Sequence, residues 1–153
     1  MTRMDGKMDH NLHVVDLARG WIGTPYHHQA SLKGIGCDCL GLVRGVWREL
    51  YGQEPETPPA YSPDWGQESA EETLLAAAKR HFAPVPIDAL EPGHVVIFRM
   101  RPKAIAKHCG IVSGEGRMIH ALEGTGVCEV TLDDFWRRRD VGWFGFQLLQ
   151  RII

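Results

Sequence analysis

The stretch that decides the fold is GIGCDCLGLV, residues 34–43. Its glycines lead into Asp38 and Cys39, and apolar residues then recur at helical spacing. These apolar residues are Leu40, Val43, Val46, Trp47 and Leu50. The pattern predicts a loop that passes into a helix, with a thiol in the first helical turn and an end near Gly52, where glycine stops the repeat.

A thiol in that position has distinctive chemistry. Unpaired backbone N–H groups and the positive end of the helix dipole favour an anion there, and helix N-termini are among the places where a cysteine pKa falls from about 8.5 toward 7 or below. Cys39 is therefore a candidate nucleophile. An equally good local interpretation is that Cys37 and Cys39 are buried small hydrophobes or part of a metal site, because cysteine is among the most buried residue types.

Length and composition narrow the class of protein. The 153 residues suit one domain, and we expect a flexible N-terminus at residues 1–10 followed by a single domain at 11–153. The net charge of -2 and the lack of a basic stripe argue against a nucleic-acid partner. No apolar run approaches the ~18 residues of a membrane span, so no membrane partner is expected. Residues 1–11 are polar, which predicts no secretory signal peptide and synthesis in the cytoplasm.

The four cysteines are expected to be free thiols made in a reducing compartment, because a chain of this size needs no disulfide staples. Metal binding is the main alternative. The possible zinc ligands are Cys37, Cys39, His108, Cys109 and His120. Their spacing lacks the paired two-residue intervals of structural zinc sites. We therefore expect no metal and no other cofactor.

The N-terminal half has the pattern of helices joined by loops. Apolar residues recur at helical spacing over residues 11–22, which predicts a first helix. A proline-rich connection at residues 54–63 follows the helix that contains Cys39. Residues 69–72 have capping-box spacing ahead of a third helix. The apolar side of that helix is Leu74, Leu75, Ala78 and Phe82.

The C-terminal half has the alternation and turns of an antiparallel sheet. The predicted elements, in chain order, are a strand at 95–98, a strand at 107–112, a reversal at 113–116, a strand at 117–122, a short helix at 131–136 and a last strand at 143–153. Helices therefore come first and an antiparallel sheet second, which is the order of an α+β fold.

A nucleophilic thiol needs a base, and two of the eight histidines are placed to supply one. His108 and His120 lie on the two strands of the predicted hairpin. If the turn is a three-residue loop, Val112 pairs with Gly116 and His108 faces His120 directly, with Cβ atoms about 5 Å apart. A slip of one residue in the register would place the two imidazoles on opposite faces of the sheet.

The ordered motifs of the chain resemble the NlpC-type family of papain-like cysteine peptidases, whose members cut peptides of the bacterial cell wall. The motifs are GTPY at 23–26, DCLGLV at 38–43, LEPGHVVIF at 90–98, HCGIV at 108–112 and MIHA at 118–121. The resemblance covers about residues 14–149. It implies a papain-like NlpC-type fold, in which N-terminal helices pack on a C-terminal antiparallel β-sheet and the catalytic cysteine lies at a helix N-terminus.

The resemblance also implies a role for each residue of the site. Cys39 is the nucleophile, His108 the general base and His120 the polar residue that orients the base. Tyr26 lies in the turn-rich residues 24–36, which form either a wall of the substrate site or an ordinary surface loop. As part of a wall, Tyr26 would contact the tetrahedral intermediate or the free amine of the substrate.

Several positions depart from the family pattern or have no assigned task. Leu40 replaces the usual serine, residues 27–29 replace paired glycines, and His94 replaces an aspartate, so the preference for substrate is open. Asp38 is expected to cap the helix rather than act as a catalytic acid. Cys37 is either inert or able to trap an oxidised Cys39.

The implied function is hydrolysis of cell-wall stem peptides by a cysteine endopeptidase, at a D-γ-glutamyl–diamino acid bond. The segment GCDCLGL at 36–42 resembles proteins of tailed phages and prophages. That likeness implies a component of a virion or phage-like particle, with tail or baseplate proteins as partners, that opens the cell wall during DNA delivery. The alternatives are a structural tail-tip or assembly protein with little activity, and a related amidase or acyltransferase.

Overall fold

Helices precede strands along most of the chain, as the sequence predicts. The computed structural model describes residues 3–56, 72–114 and 116–148. Its helices are α1 (Arg3–Arg19), α2 (Cys39–Tyr51), α3 (Thr73–His81) and the short α4 (Asp134–Arg137), with a 3-10 turn at Ile87–Ala89. Among the residues described, none of these helices has the length and apolar character needed to span a bilayer.

Two antiparallel sheets complete the fold. A small sheet pairs β1 (Ser31–Leu32) with β2 (Gly36–Cys37) just before α2. Within the described residues the main sheet has six strands in the order β3-β8-β4-β5-β6-β7. These strands are β3 (Ala83–Pro84), β4 (Val95–Phe98), β5 (His108–Gly114), β6 (Arg117–Leu122), β7 (Gly126–Thr131) and β8 (Asp140–Gly145). The predicted α+β class is confirmed.

The first helix begins earlier and ends earlier than its apolar repeat predicts. The repeat indicates residues 11–22, whereas α1 spans Arg3–Arg19. The first part of α1 has no apolar stripe, but it is fastened to the rest of the fold, because His10 Nε2 hydrogen-bonds the carbonyl oxygen of Phe146 at 2.9 Å. Asn11 on the next position is buried. The flexibility of residues 1–10 stays a prediction.

Helix α2 has the predicted bounds and the predicted caps. Asp38 Oδ1 accepts a hydrogen bond from the backbone N–H of Gly41 at 2.7 Å, which satisfies one of the free donors of the first turn. At the other end Gly52 adopts φ of 87° and ends the helix. Gly45 lets α2 approach the turn that follows α1 closely, since a Cβ at Gly45 would lie 2.0 Å from the ring of Trp21.

The third helix and the last strand differ from their predicted bounds. Helix α3 starts at Thr73, and its N-cap Glu72 makes no side-chain capping bond. The predicted capping-box residue Ser69 and most of the proline-rich connection lie outside the described residues. The last strand spans Asp140–Gly145 rather than 143–153, because its pairing with β4 begins before the apolar stretch does. Residues 149–153 also lie outside the described part of the chain.

The main sheet carries a hydrophobic core on each face. The face toward the helices buries Val95 and Ile97, together with Ile111 and Ile119. The opposite face buries residues that alternate with these. They are Val96, Phe98, Val112 and Met118, with Leu132 from beyond the sheet. Successive residues of β4 therefore enter different layers, which is why all four are buried in a strand that is covered on both sides.

The β5–β6 hairpin has a different register from the predicted one. Val112 pairs with Met118 rather than with Gly116, and Ile111 pairs with Ile119. The register also shifts between Val112 and Gly114, so Gly114 pairs with Arg117. The predicted direct pairing of His108 with His120 is therefore wrong by two residues. A shift of two keeps each side chain on its face of the sheet, so the face prediction survives.

Candidate active site

The loop-to-helix junction places Cys39 at the first position of α2, where it is partly exposed. Asp38 holds this junction through both of its carboxylate oxygens. Oδ1 caps the helix, and Oδ2 accepts a hydrogen bond from the backbone N–H of Gln29 at 2.8 Å. The aspartate is almost fully buried in this capping role, as the sequence predicts. Cys39 therefore sits on a rigid start of a helix rather than on a free loop.

The two predicted histidines are in direct contact. His108 Nε2 and His120 Nδ1 are 2.8 Å apart, and the rings are nearly perpendicular at 83°. Because the register is displaced by two, the contact runs diagonally between the strands rather than straight across. Gly110 leaves room for it, since a Cβ at Gly110 would lie 3.4 Å from that of His120 and 2.8 Å from Met118 Sδ.

His120 is the buried partner of the pair. Its side chain is 0% exposed, and burial, with a smaller effect of His108, lowers its pKa to about 4. His120 is therefore neutral at physiological pH. Its second ring nitrogen, Nε2, is buried and has no hydrogen-bond partner among the described residues. The contact with His120 occupies His108 Nε2, so Nδ1 is the nitrogen of His108 that is left to interact with a thiol.

The surroundings of Cys39 favour its thiolate. A hydrogen bond from the Cys109 thiol is the largest influence that holds the pKa of Cys39 well below its usual range; burial opposes it, and contact with His108 adds to the lowering. When protonated, the thiol of Cys39 donates to the carbonyl oxygen of Lys107, 3.4 Å from Sγ. The structure therefore brings together a thiol of lowered pKa and the predicted base.

Cys109 is a member of the site that sequence reasoning missed. Its thiol donates to the carbonyl oxygen of Cys39, 3.4 Å from Sγ. When Cys39 is ionised the same S–H can turn to Cys39 Sγ, and this hydrogen bond, together with burial, raises the pKa of Cys109 well above its usual range. Cys109 is therefore a neutral donor. The period of two along β5 was the available signal, because it places Cys109 with Ile111 on the face that α2 covers.

Tyr26 lies close enough to Cys39 for the charge of that thiol to act on its phenol, and its role toward the substrate stays a prediction. It forms a bridge to Cys37 in the small-sheet region and packs half-buried against the core. Burial, followed by the nearby negative charge of Cys39, raises the pKa of Tyr26 to about 12. The phenol therefore keeps its proton at neutral pH and can donate a hydrogen bond into the site.

Cys37 differs sharply from Cys39, although only one residue separates them. Its side chain is 0% exposed, and burial raises its pKa to about 12. A thiol with those properties is unreactive at neutral pH. All the cysteines are free, and the described residues hold no group of three or more His, Cys, Asp or Glu side chains arranged to bind a metal.

The side chain of His94 makes a local hydrogen bond that closes the turn before β4. The ring is buried, and its Nδ1 accepts a hydrogen bond from the backbone N–H of Glu91 at 3.0 Å. An aspartate would close the same turn with a carboxylate oxygen. The departure from the family pattern at His94 therefore leaves the turn before β4 intact.

An apolar cavity of about 610 Å³ lies between α2 and α3, behind the thiol. Its walls include Leu40 and Cys109, the chain neighbours of Cys39 and His108. Neither Cys39 nor His108 lines it. The cavity therefore adjoins the site through neighbouring residues and not through the reacting groups themselves.

Comparison with known proteins gives a family-level match. Residues 23–144 match the model of the NlpC/P60 family. The chain is 32% identical over 130 residues to a gamma-DL-glutamyl hydrolase of Bacillus subtilis (strain 168), covering 84% of this chain and 28% of that protein. It is 29% identical over 124 residues to murein DD-endopeptidase MepH of Escherichia coli (strain K12), covering 79% of this chain and 40% of that protein. The chain spans less than half the length of either relative.

Solved structures show the same fold. The NlpC/p60 domain of the peptidoglycan hydrolase SagA superposes with a TM-score of 0.61 at 22% identity, covering 89% of this chain and 98% of that one. NlpC2 from Trichomonas vaginalis superposes with a TM-score of 0.65 at 16% identity, covering 89% of this chain and 46% of that one. At these identities the likeness shows a shared architecture.

Proposed function

Because this chain belongs to the NlpC/P60 family, we propose that it is a cysteine endopeptidase that hydrolyses peptides of the bacterial cell wall. One observation carries the proposal. The thiol of Cys39, with its pKa held low, lies at a helix N-terminus in contact with His108, whose far nitrogen is held by His120. This is the arrangement of nucleophile, base and orienting group that acyl transfer requires.

The proposed reaction uses each group in turn. Cys39 transfers its proton to His108, and the thiolate attacks the carbonyl carbon of the scissile amide. His108 then gives the proton to the departing amine as the C–N bond breaks, leaving a thioester on Cys39. Water attacks the thioester with His108 as base, and the carboxylate product leaves with the thiol restored. His120, neutral above a pKa of about 4, orients the base throughout.

Two donors are placed to stabilise the oxyanion. The backbone N–H of Cys39 is at the start of α2, where the helix has no internal acceptor for it. The phenol of Tyr26 is the second donor, because it stays protonated next to the thiol. Preorganised donors of this kind typically contribute about a hundredfold or more to the rate.

We propose the D-γ-glutamyl–diamino acid bond of stem peptides as the target. The support is the name of one relative, a gamma-DL-glutamyl hydrolase; the second relative is a murein DD-endopeptidase, which supports a cell-wall peptide as substrate but not this particular bond. Hydrolysis at this bond would release a new amine on the diamino acid. Mass spectrometry of products from a synthetic L-alanyl-γ-D-glutamyl-diaminopimelate peptide would identify the bond that is cut, and would reveal an amidase or acyltransferase by different products.

The activity is tested on isolated Gram-negative sacculi. We expect release of new amines by the wild-type protein and a loss of at least about a thousandfold in Cys39→Ala. The matched control is Cys37→Ala, the same truncation two residues away at a buried thiol. The control should retain most of its activity once its fold is verified by circular dichroism. Equal activity in Cys39→Ala and wild type would overturn the mechanism.

We propose further that the protein acts from a phage tail or phage-like particle on the cell wall, with tail or baseplate proteins as partners. The support is the likeness of residues 36–42 to such proteins. Particles that carry Cys39→Ala should assemble normally and deliver DNA poorly. Normal delivery would favour a structural tail-tip role instead, and absence of the protein from purified particles would overturn the setting.

A further inference from the structure

We propose that Trp136 is a positioning residue of the site: its indole holds the His108 imidazole in the orientation that faces Cys39. The proposal rests on the catalytic role proposed for Cys39 and His108. Trp136 is called a positioning residue because it contacts the base rather than the reacting thiol. It lies on α4, 16 residues beyond His120 and 28 beyond His108 in the chain.

Three ring contacts place Trp136 over the histidine pair. Its ring stacks on that of His108, with centroids 5.4 Å apart and planes 23° from parallel. It meets His120 edge to face at 5.1 Å and 83°. Phe98 also packs against the indole, with ring centroids 5.0 Å apart. Trp136 therefore touches both members of the pair and is itself backed by the core of the sheet.

Helix α4 holds Trp136 through contacts that do not involve the site. The backbone N–H of Leu132, just before α4, donates to the carbonyl oxygen of Gly116 at 2.7 Å. After the tryptophan, Arg137 Nε donates to Asp140 Oδ2 at 2.9 Å. The short helix is thus tied to the β5–β6 turn on one side and to β8 on the other. These two hydrogen bonds fix the position of α4, and so of the Trp136 indole, relative to His108.

The stack supplies a restraint that the hydrogen bond to His120 does not. Apart from Trp136 and the reacting thiol, the His108 ring has, among the described residues, only its bond at Nε2 and a looser contact with Phe98, whose centroid is 6.0 Å away. Rotation about the Nε2 contact would carry Nδ1 away from Cys39. A ring packed face to face on His108 blocks the rotation. The electron-rich indole face also attracts a cation, so it stabilises His108 after it has received the thiol proton. Both effects favour the state with a Cys39 thiolate.

The test measures alkylation of Cys39 by iodoacetamide as a function of pH, with each cysteine resolved by mass spectrometry. Trp136→Leu keeps apolar volume and removes the aromatic face. We expect it to move the midpoint of Cys39 alkylation to higher pH and to slow alkylation at pH 6.5 by about tenfold. Trp136→Phe keeps a face that can stack and should stay within about threefold of wild type. In peptide hydrolysis, Trp136→Leu should lower kcat with little change in KM.

Trp143→Leu is the matched control, because Trp143 packs on the same face of the sheet. No ring contact joins it to either histidine among the described residues. It should leave the Cys39 profile unchanged. The proposal is overturned if Trp136→Leu has the wild-type profile, or if Trp143→Leu shifts it equally. Alkylation needs no peptide substrate, so a failure to cleave cell-wall peptides would count against the proposed function and leave this result standing on its own.

Discussion

At the scale of single residues, the site depends on how burial and hydrogen bonding give different pKa values to four free thiols. Cys37 and Cys109 are buried and have raised pKa values, whereas Cys39 has a lowered one. The difference between Cys39 and Cys109 is cooperative, since the proton that Cys109 keeps is the one it donates to Cys39. A neutral donor at this position raises the thiolate fraction of Cys39 without adding a charge.

Removal of that donor should raise the pKa of Cys39. The sign follows from the hydrogen bond, which stabilises the thiolate over the thiol. In Cys109→Ala, alkylation of Cys39 should therefore have its midpoint at higher pH than in wild type and be roughly tenfold slower at pH 6.5. Cys37→Ala, an equivalent truncation that removes no donor to Cys39, is the control. An unchanged midpoint in Cys109→Ala would show that the hydrogen bond to Cys39 Sγ does not form.

At the scale of secondary structure, the geometry of the site is fixed by how closely α2 approaches its neighbours. Two glycines on one side of the helix permit the approach. A Cβ at Gly41 would lie 1.9 Å from the carbonyl oxygen of Ala30, and one at Gly45 would lie 2.0 Å from Trp21. The helix start that carries Cys39 is therefore positioned by close packing against the backbone of Ala30 and the ring of Trp21, which lies just beyond α1.

Gly45→Ala should destabilise the protein although alanine is the better helix former. The clash requires the Trp21 ring or the backbone of α2 to shift, and overpacking of this kind costs about 1–3 kcal/mol or more. Gly6→Ala is the matched control, because Gly6 lies in α1 with open space around it. It should stabilise the protein by up to about 1 kcal/mol. Urea denaturation of both variants measures the difference, and effects of the same sign would contradict the packing argument.

At the scale of the whole molecule, the sheet separates two layers and the site lies where they meet. The helices cover one face of the sheet, and α4 with its neighbouring loops covers the other. Cys39 comes from the helical layer, whereas Trp136 comes from the opposite one. The histidine pair reaches the thiol from the sheet between them. Assembly of the site therefore requires the complete fold.

The burial of His120 should make the stability of the fold depend on pH. In the unfolded chain this histidine takes up a proton near its ordinary pKa of about 6.5, whereas in the folded protein it does so only near a pKa of about 4. The contribution of neutral His120 to the free energy of unfolding is fully present above about pH 6.5 and is lost as the pH falls toward 4. Linkage gives a loss of roughly 3 kcal/mol over that interval.

His120→Asn should remove this part of the pH dependence. Urea unfolding at pH 7, 6, 5 and 4 should show a smaller decline in the free energy of unfolding for the variant than for wild type. His13→Asn, at an exposed position of α1, is the control. Its free energy of unfolding should fall with pH as that of the wild type does. Parallel curves for His120→Asn and wild type would show that His120 is not kept neutral by the fold.

The amino-acid sequence by itself determined the elements whose signals are local. The helical period and the Asp38 cap specify α2 and place Cys39 at its start, since both depend on residues within a turn of one another. The order of helices and strands gives the α+β class. Strand alternation put His108 and His120 on one face, and this prediction survived because the register error was an even number.

Only the tertiary structure decided the rest, because the deciding contacts join residues far apart in the chain. The register of β5 and β6 includes a shift between Val112 and Gly114 that the local pattern does not specify. The start of α1 depends on a contact from His10 to Phe146. Packing of α2 on the sheet brings Cys109 to the thiol, and folding of α4 over the opposite face brings Trp136 to the base. Long-range packing therefore gives Cys39 a lowered pKa and its neighbour Cys37 a raised one, and it brings the activating groups to Cys39.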